Sequence, residues 1–187
     1  MMVKPLSKGK TVILVNGVPA SGKSTVAQQI ASHFTLPLLT IDGIKEPFMA
    51  QFTNIDRGFN RKLGLAAYEV IWSIVASGPA EYPFVIDAWF GFQSRETLLH
   101  YLARAGVTQA LEIWNQISAD TAVARYAQRL DTRPQGHPGK EYLPELAELA
   151  DNAKPMACGP VYHIEQDRGY DETELTKWIA SYVAQAV

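Results

Sequence analysis

A single cysteine, Cys158, stands among 187 residues. That count excludes an intrachain disulfide and any CxxC zinc site, and it fits a reducing compartment. An excess of charge of one sign is lacking as well. The formal net charge is −2, with charged residues at 19%, which leaves no bulk attraction to nucleic acid or an anionic membrane. Long apolar runs are also missing. The run that follows MMVKPLSKGK, Val12 to Val15, is too short for a signal-peptide core or a membrane span. The expectation is a cytoplasmic chain with no nucleic-acid or membrane partner, a monomer or homodimer. No Asn-Lys-x-Asp guanine-reading signature is present, Thr53-Asn-Ile-Asp56 being a different pattern, which weighs against a GTPase switch. His33, His100 and His163 are scattered without zinc spacing, and His137, inside His-Pro-Gly, reads as a loop histidine.

What is present centres on Thr11 to Ile30. Gly17-Val18-Pro19-Ala20-Ser21-Gly22-Lys23-Ser24, followed by Thr25, matches the phosphate-binding pattern G-x-x-x-x-G-K-[ST] in full. Val12 to Val15 reads as a buried parallel strand before it. Val26, Ala27, Ile30, Ala31 and Phe34 recur at helical spacing after it. Strand, glycine loop and helix in that order turn backbone N–H groups and the helix N-terminus onto a polyphosphate. Lys23 would reach the β- and γ-phosphates and Ser24 would ligate Mg²⁺, so ATP and Mg²⁺ are the expected ligands.

The rest of the chain alternates strands with helices, which predicts one domain with a parallel sheet covered on both faces. Leu36–Ile41 reads as the second strand, ending at Asp42-Gly43, and Ile44–Asn60 as a short helix and a loop around Pro47. A helix through Leu63, Ala66, Ala67, Val70, Ile71, Ile74 and Val75, capped by Asn60, stops at Gly78-Pro79. Phe84–Asp87 is the third strand, Ser94 opens a helix closed by Gly106, and Ala110–Trp114 is the fourth strand. Ser118 caps a helix whose apolar side is Val123, Tyr126, Ala127 and Leu130. Residues 130–141, rich in Pro and Gly, read as a mobile lid, followed by a helix over Tyr142–Ala153. Val161–Ile164 is the fifth strand, and a last amphipathic helix runs from Asp171 to the end.

In such a sheet, ligands bind beyond the carboxyl ends of the strands. Asn16, Asp42 and Asp87 all fall there. Asp87, closing an apolar strand, suits a carboxylate that holds Mg²⁺ or accepts a substrate proton. Asp42, one strand further out, belongs on the acceptor side. That order assigns Asp42 as the base and Asp87, with Ser24, to the metal. Arg125, Arg129 and Arg133, spaced by four toward the lid, supply cations for phosphoryl transfer, together with Lys23.

The segments GVPASGKST, VIDAWF and ALEIWNQISADTAVARYAQR with the HPG loop resemble small P-loop kinases of the AAA-type ATP-binding family. That family is similar in fold to nucleoside monophosphate kinases and shares features with gluconate kinase, chloramphenicol phosphotransferase and zeta toxins. The resemblance spans about residues 11 to 165. It implies a five-stranded parallel sheet in the order 2-3-1-4-5, Arg125 against adenine, Arg129 on phosphates and Asp42 as catalytic base. Asp87-Ala-Trp89-Phe90 departs from the Glu-Ala-Asn-Phe end of many relatives. The expected activity is ATP-dependent phosphorylation of a small-molecule hydroxyl on a sugar, amino sugar, nucleoside or antibiotic. The acceptor is expected among Asp42, the 44–59 segment and the Trp89-Phe90-Gly91-Phe92 turn. The alternatives are a nucleoside monophosphate kinase or a toxin-type nucleotide-binding protein without a free acceptor.

Overall fold

Five strands form one parallel sheet in the order β2-β3-β1-β4-β5. They are β1 Lys10–Asn16, β2 Leu38–Thr40, β3 Phe84–Ala88, β4 Val107–Gln116 and β5 Val161–Glu165. The computed structural model describes residues 9–183. Residues 1–8 and 184–187, the latter the end of the expected terminal helix, lie outside that range. Strand β1 sits at the centre, with Val15 beside Asp87 on β3 and Ile113 on β4. Alternation along the strand sends its side chains to two cores. Val12 and Leu14 pack under α3 (Arg57–Ser77) and α4 (Arg95–Arg104), whereas Ile13 and Val15 pack under α1 (Lys23–Phe34) and α7 (Glu172–Val183). A third cluster joins Val18 and Ala20 of the phosphate loop to α5 (Ala119–Ala127) and α6 (Leu143–Asn152). Among the described residues no helix is long and apolar enough to cross a membrane.

Several boundaries differ from the sequence reading, each for a local reason. The second strand stops at Thr40, because the Thr40 side chain accepts from Gly43 N and caps α2, Ile41–Met49. Asp42 therefore lies in the first turn of a helix, not at a strand end, and Pro47 sits inside that helix. Helix α3 starts earlier than expected because Asp56, not Asn60, caps it by accepting from Phe59 N. Its buried stripe is Ala67, Tyr68, Ile71, Trp72 and Val75, with Val70 and Ile74 facing outward. Strand β4 is ten residues long. Helix α5 is capped by Ser118 as expected, but it buries Ala122 and Tyr126 and leaves Ala127 exposed.

Candidate active site

The phosphate loop leaves β1 at Asn16 and enters α1 at Gly22. Ala20 and Gly22 both adopt left-handed backbone, at φ 66° and 89°. For Ala20 that conformation is uncommon and marks a loop over-determined by its surroundings. A Cβ on Gly22 would meet Gln166 Oε1 at 2.6 Å and Arg125 Nη1 at 3.4 Å, so both side chains press on the loop backbone. Gly22 brings no side-chain cap, and the first turn of α1 holds no acidic residue. Its N–H groups and positive end are left for an anion.

Under the loop lies a polar network that sequence reasoning did not resolve. Asn16 was expected to face ligand, but it is fully buried and bonded within the scaffold. Its Oδ1 accepts from Gly17 N (2.8 Å) and Phe90 N (3.0 Å), and its Nδ2 donates to Glu112 Oε1 (2.7 Å). Glu112 also accepts from Met156 N and Ala157 N, at 2.9 and 2.8 Å. Asn115 donates to Asn16 O and accepts from Gln166 Nε2. One side-chain set thus ties β1, the turn after β3, β4 and the 156–157 loop together beneath the phosphate site.

Two polar oxygens near the loop stand apart. Ser21 Oγ and Asp87 Oδ1 are buried and have no hydrogen-bond partner among the described residues. Unpaired buried acceptors are rare and call for a ligand or water. Asp87 is in register with Val15 and Thr40, and Ser24 is exposed in the first turn of α1. That donor set of hard oxygens fits a largely hydrated Mg²⁺, which would supply charge neutralisation on a bound polyphosphate.

On the β5 side a cavity of about 410 Å³ is lined by Ala20, Gly22, Thr25, Arg125, Arg129 and Gln166, with Val26, Gln128 and Tyr170 completing the wall. Arg125 and Arg129 therefore flank the phosphate loop together. Burial, then the charges of Arg133 and Arg125, pushes the Arg129 guanidinium down from its usual value. Arg125 and Arg129 carry no ion pair with a carboxylate among the described residues, whereas Arg133 lies 3.7 Å from Asp42, so the cavity side of the loop presents two cations to an anion. Gln166 and Tyr170, missed in the sequence, lie just beyond β5, where the strand-end rule could have found them. Asp167 beside them accepts from Ser118 N and Ser118 Oγ, at 2.7 and 2.8 Å, fastening this wall to the start of α5.

Asp42 faces the loop from the opposite side. Its side chain is 55% exposed, with Lys45 Nζ at 3.3 Å and Arg133 Nη2 at 3.7 Å. Its recessed position raises the carboxyl pKa, but Lys45, His137, Lys23 and Arg133 together outweigh that and hold it below the usual value. Lys23 is thus near enough to Asp42 for its charge to act on the carboxyl. Arg133 also stacks over the Tyr126 ring at 5.0 Å. His137 is not a free loop residue: its side chain is 3% exposed and pairs with Glu46 at 2.9 Å. Asn60 bonds Gly136 O from α3, and Arg57 pairs with Glu145 of α6. The Asp42, Glu46 and His137 ligand atoms lie within 4.8 Å of one another, but Lys45 and Arg133 already supply cations there.

The expected aromatic wall divides. Phe90 is fully buried, Phe92 packs on Tyr68 at 5.2 Å, and Trp89 packs against Trp114 at 6.3 Å, so the turn after β3 is core. Phe52 stays 49% exposed beside a second cavity of about 300 Å³ between α2 and residues 134–135.

No protein-family model matches the chain, and no curated protein matches it. Solved structures do. A provisionally named kinase from Chloroflexus aurantiacus superposes with a TM-score of 0.76 at 23% identity, covering 94% of this chain and 98% of that one. A gluconokinase from Sinorhizobium meliloti gives 0.56 at 18%, covering 96% and 93%. Kti12 of Chaetomium thermophilum, in complex with ADP-AlF3, gives 0.63 at 18%, covering 94% and 98%. At these identities the likeness establishes the fold. It is a P-loop NTPase fold of the kind found in small kinases.

Proposed function

We propose that this chain is an ATP-dependent kinase that phosphorylates a hydroxyl of a small molecule. The observation that carries the reading is the pairing of sites across the loop. A phosphate loop with unpaired Ser21 and Asp87 oxygens, ringed by Arg125, Arg129 and Arg133, faces a carboxylate, Asp42, held ionised by the surrounding cations. An ATPase or a passive nucleotide binder has no need of that second side. The kinases among the structural neighbours support the same class.

In this reading Gly17 to Thr25 cradles the phosphates, Lys23 contacts the transferring group, and Arg125 and Arg129 hold base and phosphates. Ser24 and Asp87 would hold Mg²⁺. The acceptor oxygen forms a bond to the γ-phosphorus as the bond from that phosphorus to the β–γ bridging oxygen breaks. ADP leaves with the electron pair, and the hydroxyl proton passes to Asp42. Residues 130–141 act as a lid within one domain, bringing Arg133 to the reacting groups. Cytoplasmic residence belongs to the same proposal.

The test is to incubate the protein with Mg·ATP and a panel of sugars, amino sugars, nucleosides and nucleoside monophosphates, following products by ³¹P NMR. A phosphomonoester formed from an uncharged alcohol, and lost in Lys23→Ala, supports the reading. Transfer confined to monophosphates makes the protein a nucleoside monophosphate kinase. Release of inorganic phosphate alone, whatever acceptor is offered, defeats it.

A further inference from the structure

The cavity between α2 and residues 134–135 is lined by Glu46, one helical turn from Asp42, and its chemistry narrows the acceptor. Met49, Ala50, Phe52, Ile55 and Pro134 give it apolar walls. Its one charged residue, Glu46, is paired with His137, and the side-chain amides of Asn54 and Gln135 are the remaining polar groups. The Glu46 and Asp42 carboxylates lie within 4.8 Å of each other, which puts the Glu46 wall of the cavity beside the proposed base. Asp42 in turn is matched by Lys45 and Arg133. An ionised ligand group moved into these walls would lose water and gain no partner, which is costly. Phe52 gives a second indication. Its ring meets Phe59 edge-on at 5.0 Å between centroids, yet half its surface is open. An aromatic side chain steadied on one side and bare on the other is a platform for another ring.

We infer that the acceptor is an uncharged alcohol with an apolar, ring-bearing body. The body fills the α2–lid cavity against Phe52 and Met49 while the hydroxyl meets Asp42, whose carboxylate takes its proton as the oxygen bonds to the γ-phosphorus and ADP departs. The amides of Asn54 and Gln135 orient the body. This assignment rests on the kinase reading above, and it excludes sugar acids and nucleoside monophosphates as preferred acceptors.

Met49 supplies the test, since the sequence has four methionines and Met156 lies in the other core. With ¹³C-methyl methionine and Mg·ADP present, phenyl β-D-glucoside, glucose and gluconate are titrated, and the same compounds are assayed as acceptors with Mg·ATP. The expected result is a saturable shift of the Met49 methyl with phenyl glucoside alone, and a phosphomonoester from that compound. Ala50→Trp, at an exposed position in the wall, abolishes the shift while Mg·ATP still raises the melting temperature, which shows the variant folded. A Met49 methyl unmoved by phenyl glucoside overturns the inference. If glucose or gluconate is phosphorylated in that case, the kinase reading survives without it. A shift of Met49 with no phosphomonoester from any compound defeats the kinase reading, and the acceptor assignment with it.

Discussion

Beneath the phosphate loop, polar side chains are buried and bonded largely to backbone. Beside Asp42 charged side chains are bonded to one another, with Asp42 and Glu46 open to solvent and Lys45 and His137 buried. Asn16, Glu112 and Asn115 are each 1% exposed or less and hold backbone groups from four segments. Across the cleft, Asp42, Lys45, Glu46, His137 and Arg133 meet side chain to side chain, joining α2 to a loop of short 3₁₀ turns. A buried network fully satisfied by backbone fixes one geometry. Ion pairs with one partner open to solvent, as Asp42 and Glu46 are here, contribute less to stability and rearrange more cheaply. On the kinase reading proposed above, the nucleotide side would stay fixed and the acceptor side would be the mobile one, holding one substrate while residues 130–141 admit another.

The largest expected effect falls on the mobile side and is chemical. Asp42→Asn should lower transfer to an acceptor by about 10²- to 10⁴-fold, the usual worth of a positioned base, with Mg·ATP affinity nearly unchanged. Asp87→Asn should do the converse, weakening the Mg²⁺ dependence of nucleotide binding. Calorimetric titration of ATP with and without Mg²⁺ on both variants decides it, and a metal effect lost in Asp42→Asn alone reverses the assignment.

On the fixed side the largest effect is on folding. Glu112→Ala leaves Asn16 Nδ2, Met156 N and Ala157 N without their acceptor, which should cost about 3 kcal/mol or more by denaturant unfolding. A loss under 1 kcal/mol would mean that water takes over the network and the contrast drawn here is too strong. Lys23→Ala should leave the fold intact but remove most of the stabilisation by Mg·ATP, about 2.7 kcal/mol at a hundredfold excess over Kd. Equal melting shifts in both proteins would refute it.

The smallest effect concerns the lid in acid. Burial, then Lys45 of α2 and Arg133 of the lid, lowers the His137 pKa, and Asp42 and Glu46 of α2 only partly offset them. A histidine whose pKa is depressed in the folded protein contributes stability that is complete above its unfolded value, about 6.5, and is lost as pH falls below it. Hydrogen exchange over residues 130–141, corrected for its intrinsic rate, should therefore quicken between about pH 7.5 and 5.5, straddling that value. In His137→Gln that dependence should vanish. An unchanged pH dependence in the variant would place the acid sensitivity elsewhere.

How much of this was legible beforehand follows the same division. The phosphate loop is eight consecutive residues, so its pattern and its flanking strand and helix are written locally. The sheet order, and Arg125 in α5 with Arg129 just after it, followed from that start and the family resemblance. Contacts between distant residues were not legible. Asn16 reaches Glu112 across 96 residues, Gln166 reaches Asn115 across 51, and His137 reaches Glu46 across 91. No local periodicity encodes such pairs. The Trp89–Phe92 turn misled because aromatic residues look alike in sequence whether they pack a core or face a ligand. Asp42 read as a strand end because Leu36–Ile41 is apolar enough to pass for strand throughout, which hid the capping role of Thr40 within it.

That cap has a consequence for how the site can vary. Thr40 closes β2 against Asp87 and opens α2 with the same residue, so Asp42 is counted out from the sheet with no slack between. Each residue of helix turns by about 100°. Point changes along α2 can refit the acceptor wall one side chain at a time, whereas a length change at this junction swings the carboxylate away from Lys23. We expect homologues with different acceptors to differ here by substitution and not by insertion. One alanine added between Thr40 and Ile41 should end transfer while Mg·ATP still binds; full turnover in that variant would show that the helix can slip back into register.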